Sequence, residues 1–235
     1  MIELHKGSDR GTSRLAWLES RHSFSFADWH DSSAMGFRSL RVLNEDRVAA
    51  GAGFGRHPHR DMEILTVVLE GALEHRDSSG ARSVLRAGDT QHMSAGSGVI
   101  HSESNASDKE ALRFLQIWLH PATSGTVPRH AESRGLFPVD GRSPTGLRPL
   151  ATNVGGDGAL DINVDAKVFA GRVDANIPVE HPLASERGAW VQAVRGELIV
   201  NGIRMVSGDG LSIENEQSVV LSGDPEGDFL LFDLA

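Results

Sequence analysis

Short aliphatic and β-branched runs recur along the chain, and they are repeatedly closed by glycine, Asp-Gly or Asn-Gly, which is the pattern of successive hairpins. Strands are predicted at 39–43, 63–69, 83–85, 112–119, 168–170, 190–194, 198–200 and 229–232. Helices should be few and short. So regular a spacing of strands points to an all-β sandwich or barrel.

Between about residues 121 and 158 the pattern changes. Pro121, Pro128, Pro138, Pro144 and Pro149 interrupt any ladder, and Gly155, Gly156, Asp157 and Gly158 make a turn. A connection between two barrels is expected here, packed on the surface through Leu136, Phe137, Leu147 and Leu150. The chain then divides into residues 1–130 and 131–235.

The halves share an order of features. Val68-Leu69-Glu70-Gly71-Ala72-Leu73 resembles Ala193-Val194-Arg195-Gly196-Glu197-Leu198. Each is followed by a hairpin, near Asp77 to Gly80 and at Asn201-Gly202, and then by Gly-Asp, at 88–89 and 208–209. An internal repeat is expected. By offset from the shared glycine, His57 and His59 match Pro182 and Ala184, with His181 one residue out of register. The second barrel is therefore expected to be a metal-free partner.

At 235 residues the chain is long enough for two cores of roughly 100–150 residues each. Its net charge is −9 and its arginines are scattered among acids, so no concentrated basic surface is offered to phosphate and no direct nucleic-acid partner is expected. No apolar run approaches the roughly 20 residues of a membrane span, and the opening Met1-Ile2-Glu3-Leu4 has no apolar signal core. No membrane partner and a cytoplasmic location follow as expectations. Cysteine is absent, which excludes disulfides and thiolate ligands and leaves oxygen and imidazole nitrogen as the strong metal donors.

Those donors occur in two matched pairs. His57 and His59 alternate, and on a strand alternate side chains lie about 6.6 Å apart on one face. His101 and Glu103 repeat the arrangement. Two neighbouring strands would aim three imidazoles and one carboxylate at a common point in the N-terminal half. That set suits one divalent ion, with Fe(II) favoured and Zn, Mn, Co, Ni or Cu as alternatives, and it leaves positions for water, substrate or dioxygen.

The flanking residues carry a resemblance. Gly51, His57, His59, Glu63 and Gly71, followed by Gly88, Gly96, Gly98, His101 and Asn105, resemble the two motifs of the cupin superfamily of β-barrels. The run from Glu63 to Gly71 is one residue longer than the usual cupin pattern, the stretch from Gly96 to His101 is two longer, and Ser94 stands where proline is common. These departures point to the pirin family. Phe54-Gly55-Arg56-His57-Pro58-His59-Arg60-Asp61-Met62-Glu63, Leu69-Glu70-Gly71 and Met93-Ser94-Ala95-Gly96-Ser97-Gly98-Val99-Ile100-His101-Ser102-Glu103 resemble it. The opening His22-Ser23-Phe24-Ser25-Phe26-Ala27 and the closing Leu230-Leu231-Phe232-Asp233-Leu234 are similar to its bacterial members.

The resemblance implies a bicupin of two antiparallel jelly-roll barrels, with metal held by the residues matching His57, His59, His101 and Glu103. It also implies an activity, because several bacterial members open the central ring of flavonols as quercetin 2,3-dioxygenases, with O2 consumed and carbon monoxide released. Glu103 would then be the catalytic base that takes the proton of the substrate's 3-hydroxyl. Two other readings stay open: a metal or redox sensor that binds a protein partner, as mammalian pirin is regarded, and a cupin enzyme with another natural substrate.

Other residues draw plainer expectations. Glu63 shares parity with the histidines, but an outer hydrogen-bonding or salt-bridge duty is favoured for it over ligation. His75, His92, His120 and His130 are expected on the surface or in loops. Trp17, Phe24, Phe26, Trp29 and Trp118 are expected to fill core or cover barrel edges rather than to stack on a flavonol. Gly96 and Gly98 are expected to serve backbone geometry.

Overall fold

Strand alternation sends one set of side chains into a barrel and the other set outward, and here the outward sets of two barrels meet. The computed structural model describes residues 1–139, 145–156 and 158–235, so Pro144 and Asp157 of the expected connection lie outside the described residues. Among the described residues the only helical piece is a 3-10 turn at Gly7–Asp9, and no helix is long and apolar enough to cross a membrane.

The first barrel is made of two sheets. A four-stranded sheet runs in the order Gly53–His59, Val99–Asn105, Ala72–Asp77, Arg82–Arg86. A seven-stranded sheet runs Arg129–Ser133, Thr90–Ser94, Glu63–Glu70, Leu112–Leu119, Leu40–Val48, Leu18–His22, Gly11–Arg14. The second barrel is one nine-stranded sheet that folds over on itself, its path being Ile2–His5, Gly210–Glu214, Gly188–Val200, Ser218–Leu234, Ala166–Asp174, Gly146–Thr152, Leu160–Asp161. Val179–Pro182 and Ile203–Val206 pair beside this path, on Ser218–Leu234 and Gly188–Val200. All pairings are antiparallel except the short one between Gly146–Thr152 and Leu160–Asp161.

Residues of one parity on the seven-stranded sheet, Leu65, Val67, Leu69, Leu115 and Ile117, pack against Val168, Ala170, Trp190, Leu230 and Phe232 of the second barrel in one apolar layer. Residues of the other parity, Val68, Phe114 and Val48, close the end of the first barrel with Leu73 and Leu85. The runs at 112–119 and 63–69 thus read as nearly unbroken apolar stretches because both faces of those strands are buried.

Several sequence expectations change. The runs at 190–194 and 198–200 are a single strand, Gly188–Val200, that continues through Gly196 with register shifts on either side of it. The connection is more ordered than its prolines suggest. Arg129–Ser133 pairs with Thr90–Ser94, and Gly146–Thr152 pairs with Ala166–Asp174. Pro149 sits inside Gly146–Thr152 where its register shifts, a place where a missing N–H breaks no ladder. Phe137 and Leu150 are core residues, at 1% and 0% exposure, and do not merely pack on the surface. The chain division near residue 130 falls within a strand, and Ile2–His5 at the other end belongs to the second barrel's sheet.

The repeat is visible in backbone bonds. Val68 N donates to Asp89 O and Gly88 N to Val68 O, and Ala193 N donates to Asp209 O and Gly208 N to Ala193 O in the same way. Gly71 and Gly196 have φ of 76° and 72°, and an added Cβ at either would meet a carbonyl oxygen, at 2.7 Å and 2.2 Å. Only glycine suits both demands.

Phe232→Ala, which opens a cavity in the layer shared by both barrels, is expected to cost about 3–5 kcal/mol. The urea midpoint should fall while a single transition is retained; two separated transitions would show that the layer does not couple the barrels.

Candidate metal centre

The strands Gly53–His59 and Val99–Asn105 lie side by side in the four-stranded sheet, with His101 opposite His57 and Val99 opposite His59. Glu103, two residues beyond His101, pairs with Phe54, three residues before His57, so the first strand carries one extra residue between them. This bulge at Gly55 and Arg56 lets both Phe54 and His57 face the barrel interior despite their opposite parity. His57 Nδ1 donates to Gly55 O within the same bulge at 2.8 Å, which leaves Nε2 free as a lone-pair donor.

The three imidazoles converge. Ring centroids are 4.8 Å apart for His57 and His59, 4.4 Å for His57 and His101, and 4.8 Å for His59 and His101. One donor nitrogen from each lies within 4.8 Å of the others. Both ring nitrogens of His101 are shut off from solvent, with no hydrogen-bond partner among the described residues. A buried polar atom left unpaired is costly, and a divalent cation among these rings satisfies one such nitrogen directly, so the donor set fits the metal the sequence implies. Burial, with the neighbouring histidines adding to it, holds His101 down at about 2, and burial followed by His57 holds His59 at about 4.

Glu103 comes to the same interior from the side of His101. It groups with His101 and His75, its carboxylate within 4.8 Å of a nitrogen of each. Its oxygens accept hydrogen bonds from Gln91 Nε2 at 2.7 Å, Gln116 Nε2 at 2.7 Å and Thr66 Oγ1 at 3.3 Å, all from the facing sheet. Burial pushes the carboxyl up to about 7 in spite of the Gln116, Thr66 and Gln91 bonds, and the nearby Asp46 adds to the rise.

A cavity of about 270 Å³ opens beside these groups. His57, His59, Glu103 and Gln116 line it together with Phe26, Phe54, Leu18 and Trp118. Trp118 stands edge-on to His59, with centroids 4.9 Å apart. Phe24 is core, as expected, but Phe26 and Trp118 are corrected to walls of this cavity.

Glu63 lies elsewhere. Its parity with the histidines is lost at Asp61, whose φ of 49° turns the chain between the two strands. Glu63 therefore shares the inter-barrel face with Leu65 and Val67, while Thr66 faces the cavity. It accepts hydrogen bonds from His92 Nε2 at 2.6 Å, Ser94 Oγ at 2.5 Å and Asn163 N at 3.0 Å, the last from the second half of the chain. Burial alone would raise its carboxyl, but these bonds hold it below the ordinary range.

Two histidine expectations are overturned. His92 is buried as Glu63's partner, and His75 is fully buried beside His101, at a centroid distance of 5.3 Å. His75 Nε2 donates to Asp77 Oδ2 at 3.2 Å, and its ring stacks on the half-buried His130. The signal was present in the alternation Leu73, Glu74, His75, Arg76, which puts His75 on the apolar side of its strand. Gln116 is likewise a lone amide inside an apolar run. His120 is exposed, and Gly96 and Gly98 have φ of 44° and 137°, as a backbone duty requires.

Two β-barrels packed sheet to sheet, one of them enclosing a histidine cluster, define a metal-site bicupin. The chain belongs to the pirin family: it matches the Pirin family over residues 5–119 and the quercetinase C-terminal cupin domain over residues 150–234. It is 43% identical over 234 residues to the quercetin 2,3-dioxygenase of Escherichia coli K12, covering all of this chain and 99% of that protein. It is 36% identical over 230 residues to a pirin-like protein of Caulobacter vibrioides, covering 97% of this chain and 95% of that one. The crystal structure of YhhW from Escherichia coli superposes with a TM-score of 0.95 at 41% identity, covering all of this chain and 98% of that one. A structure of bacterial pirin YhhW in complex with nickel(II) gives 0.94 at the same identity, covering all of this chain and 99% of that one.

In the metal-free protein His59 and His101 stay neutral well below the value of about 6.5 at which an unfolded imidazole gains its proton. The unfolded state therefore binds more protons, and stability falls as pH drops from about 6.5 toward 4 for His59 and on toward 2 for His101. Denaturant midpoints of metal-free protein at pH 7 and pH 5 should show the loss, and His101→Gln should reduce it. Equal losses with and without His101 would mean that its ring is hydrated.

Proposed function

We propose that the protein is a metal-dependent dioxygenase that opens the central ring of flavonols such as quercetin with O2 and releases carbon monoxide. His57, His59, His101 and Glu103 hold one divalent ion, Fe(II) being favoured, and Glu103 is the catalytic base. The observation that carries the reading is the cavity: ligand-type side chains on one wall, with Phe26, Phe54 and Trp118 around a space of about 270 Å³, a lining suited to a flat aromatic molecule. The curated relatives named quercetin 2,3-dioxygenase and the nickel-bound bacterial pirin support it.

A divalent ion held by His57, His59, His101 and Glu103 would supply Lewis acidity to the substrate's 3-hydroxyl oxygen. Glu103 removes the proton from that oxygen, its carboxylate lining the cavity beside His57 and His59. Gln91, Gln116 and Thr66 hold the carboxylate in place. The aromatic walls orient the flat ring system and exclude water from the ionised substrate. A sensor that works by altering its surface needs no such cavity, so the open space favours turnover over the regulatory reading.

Metal-loaded protein incubated aerobically with quercetin should bleach its long-wavelength absorption and release carbon monoxide, and His101→Ala should lose both together with bound metal by elemental analysis. No bleaching above that variant would sink the reading. Glu103→Gln should lower kcat by about 10²–10⁴-fold, the range for a lost general base.

A further inference from the structure

The sheet that faces the histidines carries a polar chain that the reaction above leaves unused. Ser13 Oγ donates to His22 Nε2 at 2.8 Å, His22 Nδ1 donates to Asn44 Oδ1 at 2.8 Å, and Ser20 Oγ donates to Asp46 Oδ1. All five residues line the same cavity as His57, His59 and Glu103. They sit on the strands Gly11–Arg14, Leu18–His22 and Leu40–Val48, on a wall otherwise built from Leu18, Phe26 and Trp118.

Two atoms of this chain are open. Among the described residues Asp46 Oδ2 and Asn44 Nδ2 have no hydrogen-bond partner, and neither belongs to the polar atoms sealed from solvent. Asp46 and Asn44 are only 5% and 2% exposed, so what remains open of them faces the cavity they line. Arg10, the cation near Asp46, spends its hydrogen bonds on Glu45 Oε2 and Arg21 O instead. The cavity therefore presents an acceptor and a donor from one strand, Leu40–Val48, of the sheet that faces the metal-ligand strands.

Resting on the dioxygenase reading, we propose that Asp46 is a specificity-determining residue: its free oxygen accepts a hydrogen bond from a ring hydroxyl of a polyhydroxylated flavonol, one other than the 3-hydroxyl. Asn44 Nδ2, two residues along the same strand, is a donor into the same cavity, and Ser20 and His22 hold the two side chains in place. A buried acceptor left unpaired by a bare aromatic ring is penalised, so the pocket selects substrates by their hydroxylation and not by apolar shape alone. Burial raises the Asp46 carboxyl to about 7 even with the Ser20 bond, in keeping with a group short of partners in the empty cavity.

Anaerobic titration of metal-loaded protein with quercetin and with 3-hydroxyflavone, which keeps the 3-hydroxyl and lacks the ring hydroxyls, tests this without turnover. Wild-type protein should bind quercetin about 5-fold or more tightly than 3-hydroxyflavone, the order of one buried hydrogen bond. Asp46→Ala should bring the two within about threefold by weakening quercetin alone, with metal content unchanged. Asp46→Asn, which keeps the size of the side chain and an acceptor for Ser20, should lower the ratio in the same direction and serves if the alanine variant does not fold. An unchanged ratio, or equal weakening of both ligands, overturns the proposal and leaves the dioxygenase reading intact. Binding of neither flavonol by wild-type protein overturns both.

Discussion

Unpaired nitrogen in a dry interior is the constraint on which the first barrel turns. His101 has both ring nitrogens out of reach of solvent and of any hydrogen-bond partner among the described residues, and its neighbours His57 and His59 approach to within ring-contact distance. Neutral imidazoles tolerate this only because protonation is suppressed by burial. A cation turns the same crowding into coordination, so local geometry, burial and acid–base behaviour all lead to one chemistry. The bulge at Gly55 and Arg56 is the small backbone device that makes it work, because it points His57 inward and occupies the wrong nitrogen of that ring.

How much of this was legible in the chain depends on whether a feature was local. The alternations at His57 and His59 and at His101 and Glu103 could be read directly, since a strand has a period of two and both pairs lie within single strands. The strand at 112–119 and the doubled Gly-Asp corners were legible for the same reason. The parity of Glu63 with the histidines does not survive Asp61, a residue at positive φ, and the salt-bridge duty favoured for it is met by His92. Phe26 and Trp118 were beyond reach: a single sequence does not say which face of a strand meets a cavity and which meets core. His75 and Gln116 lay between these cases. Each broke the character of its strand, which signalled burial, but the identity of its partners across the barrel depends on strand pairing that no local pattern encodes.

The two barrels also share the burden of holding the site. Glu63 reaches the backbone of Asn163, Arg38 pairs with Glu214, and Gly7 N donates to Asp209, the corner carboxylate of the second repeat. The strand Ile2–His5 starts the chain in the second barrel before the first has been built. These crossings surround the apolar layer with polar contacts, so the seven-stranded sheet that supplies Gln91, Gln116 and Thr66 to Glu103 is backed along its outer face by the other half of the molecule.

Strand pairing carries the repeat into the interiors. His75 pairs with Glu103 in the first barrel as Val200 pairs with Leu221 in the second, and two residues before Leu221 stands Val219. The same scaffold thus exists twice within one polypeptide, once lined with imidazole and carboxylate and once packed with Val200, Val219 and Leu221. The aliphatic copy is a natural control: glycine corners and hairpins close this architecture with aliphatic side chains at the positions that carry His75, His101 and Glu103 in the first barrel. The polar side chains of the other copy are therefore a lining laid into a shared scaffold, free to diverge while the scaffold keeps its shape.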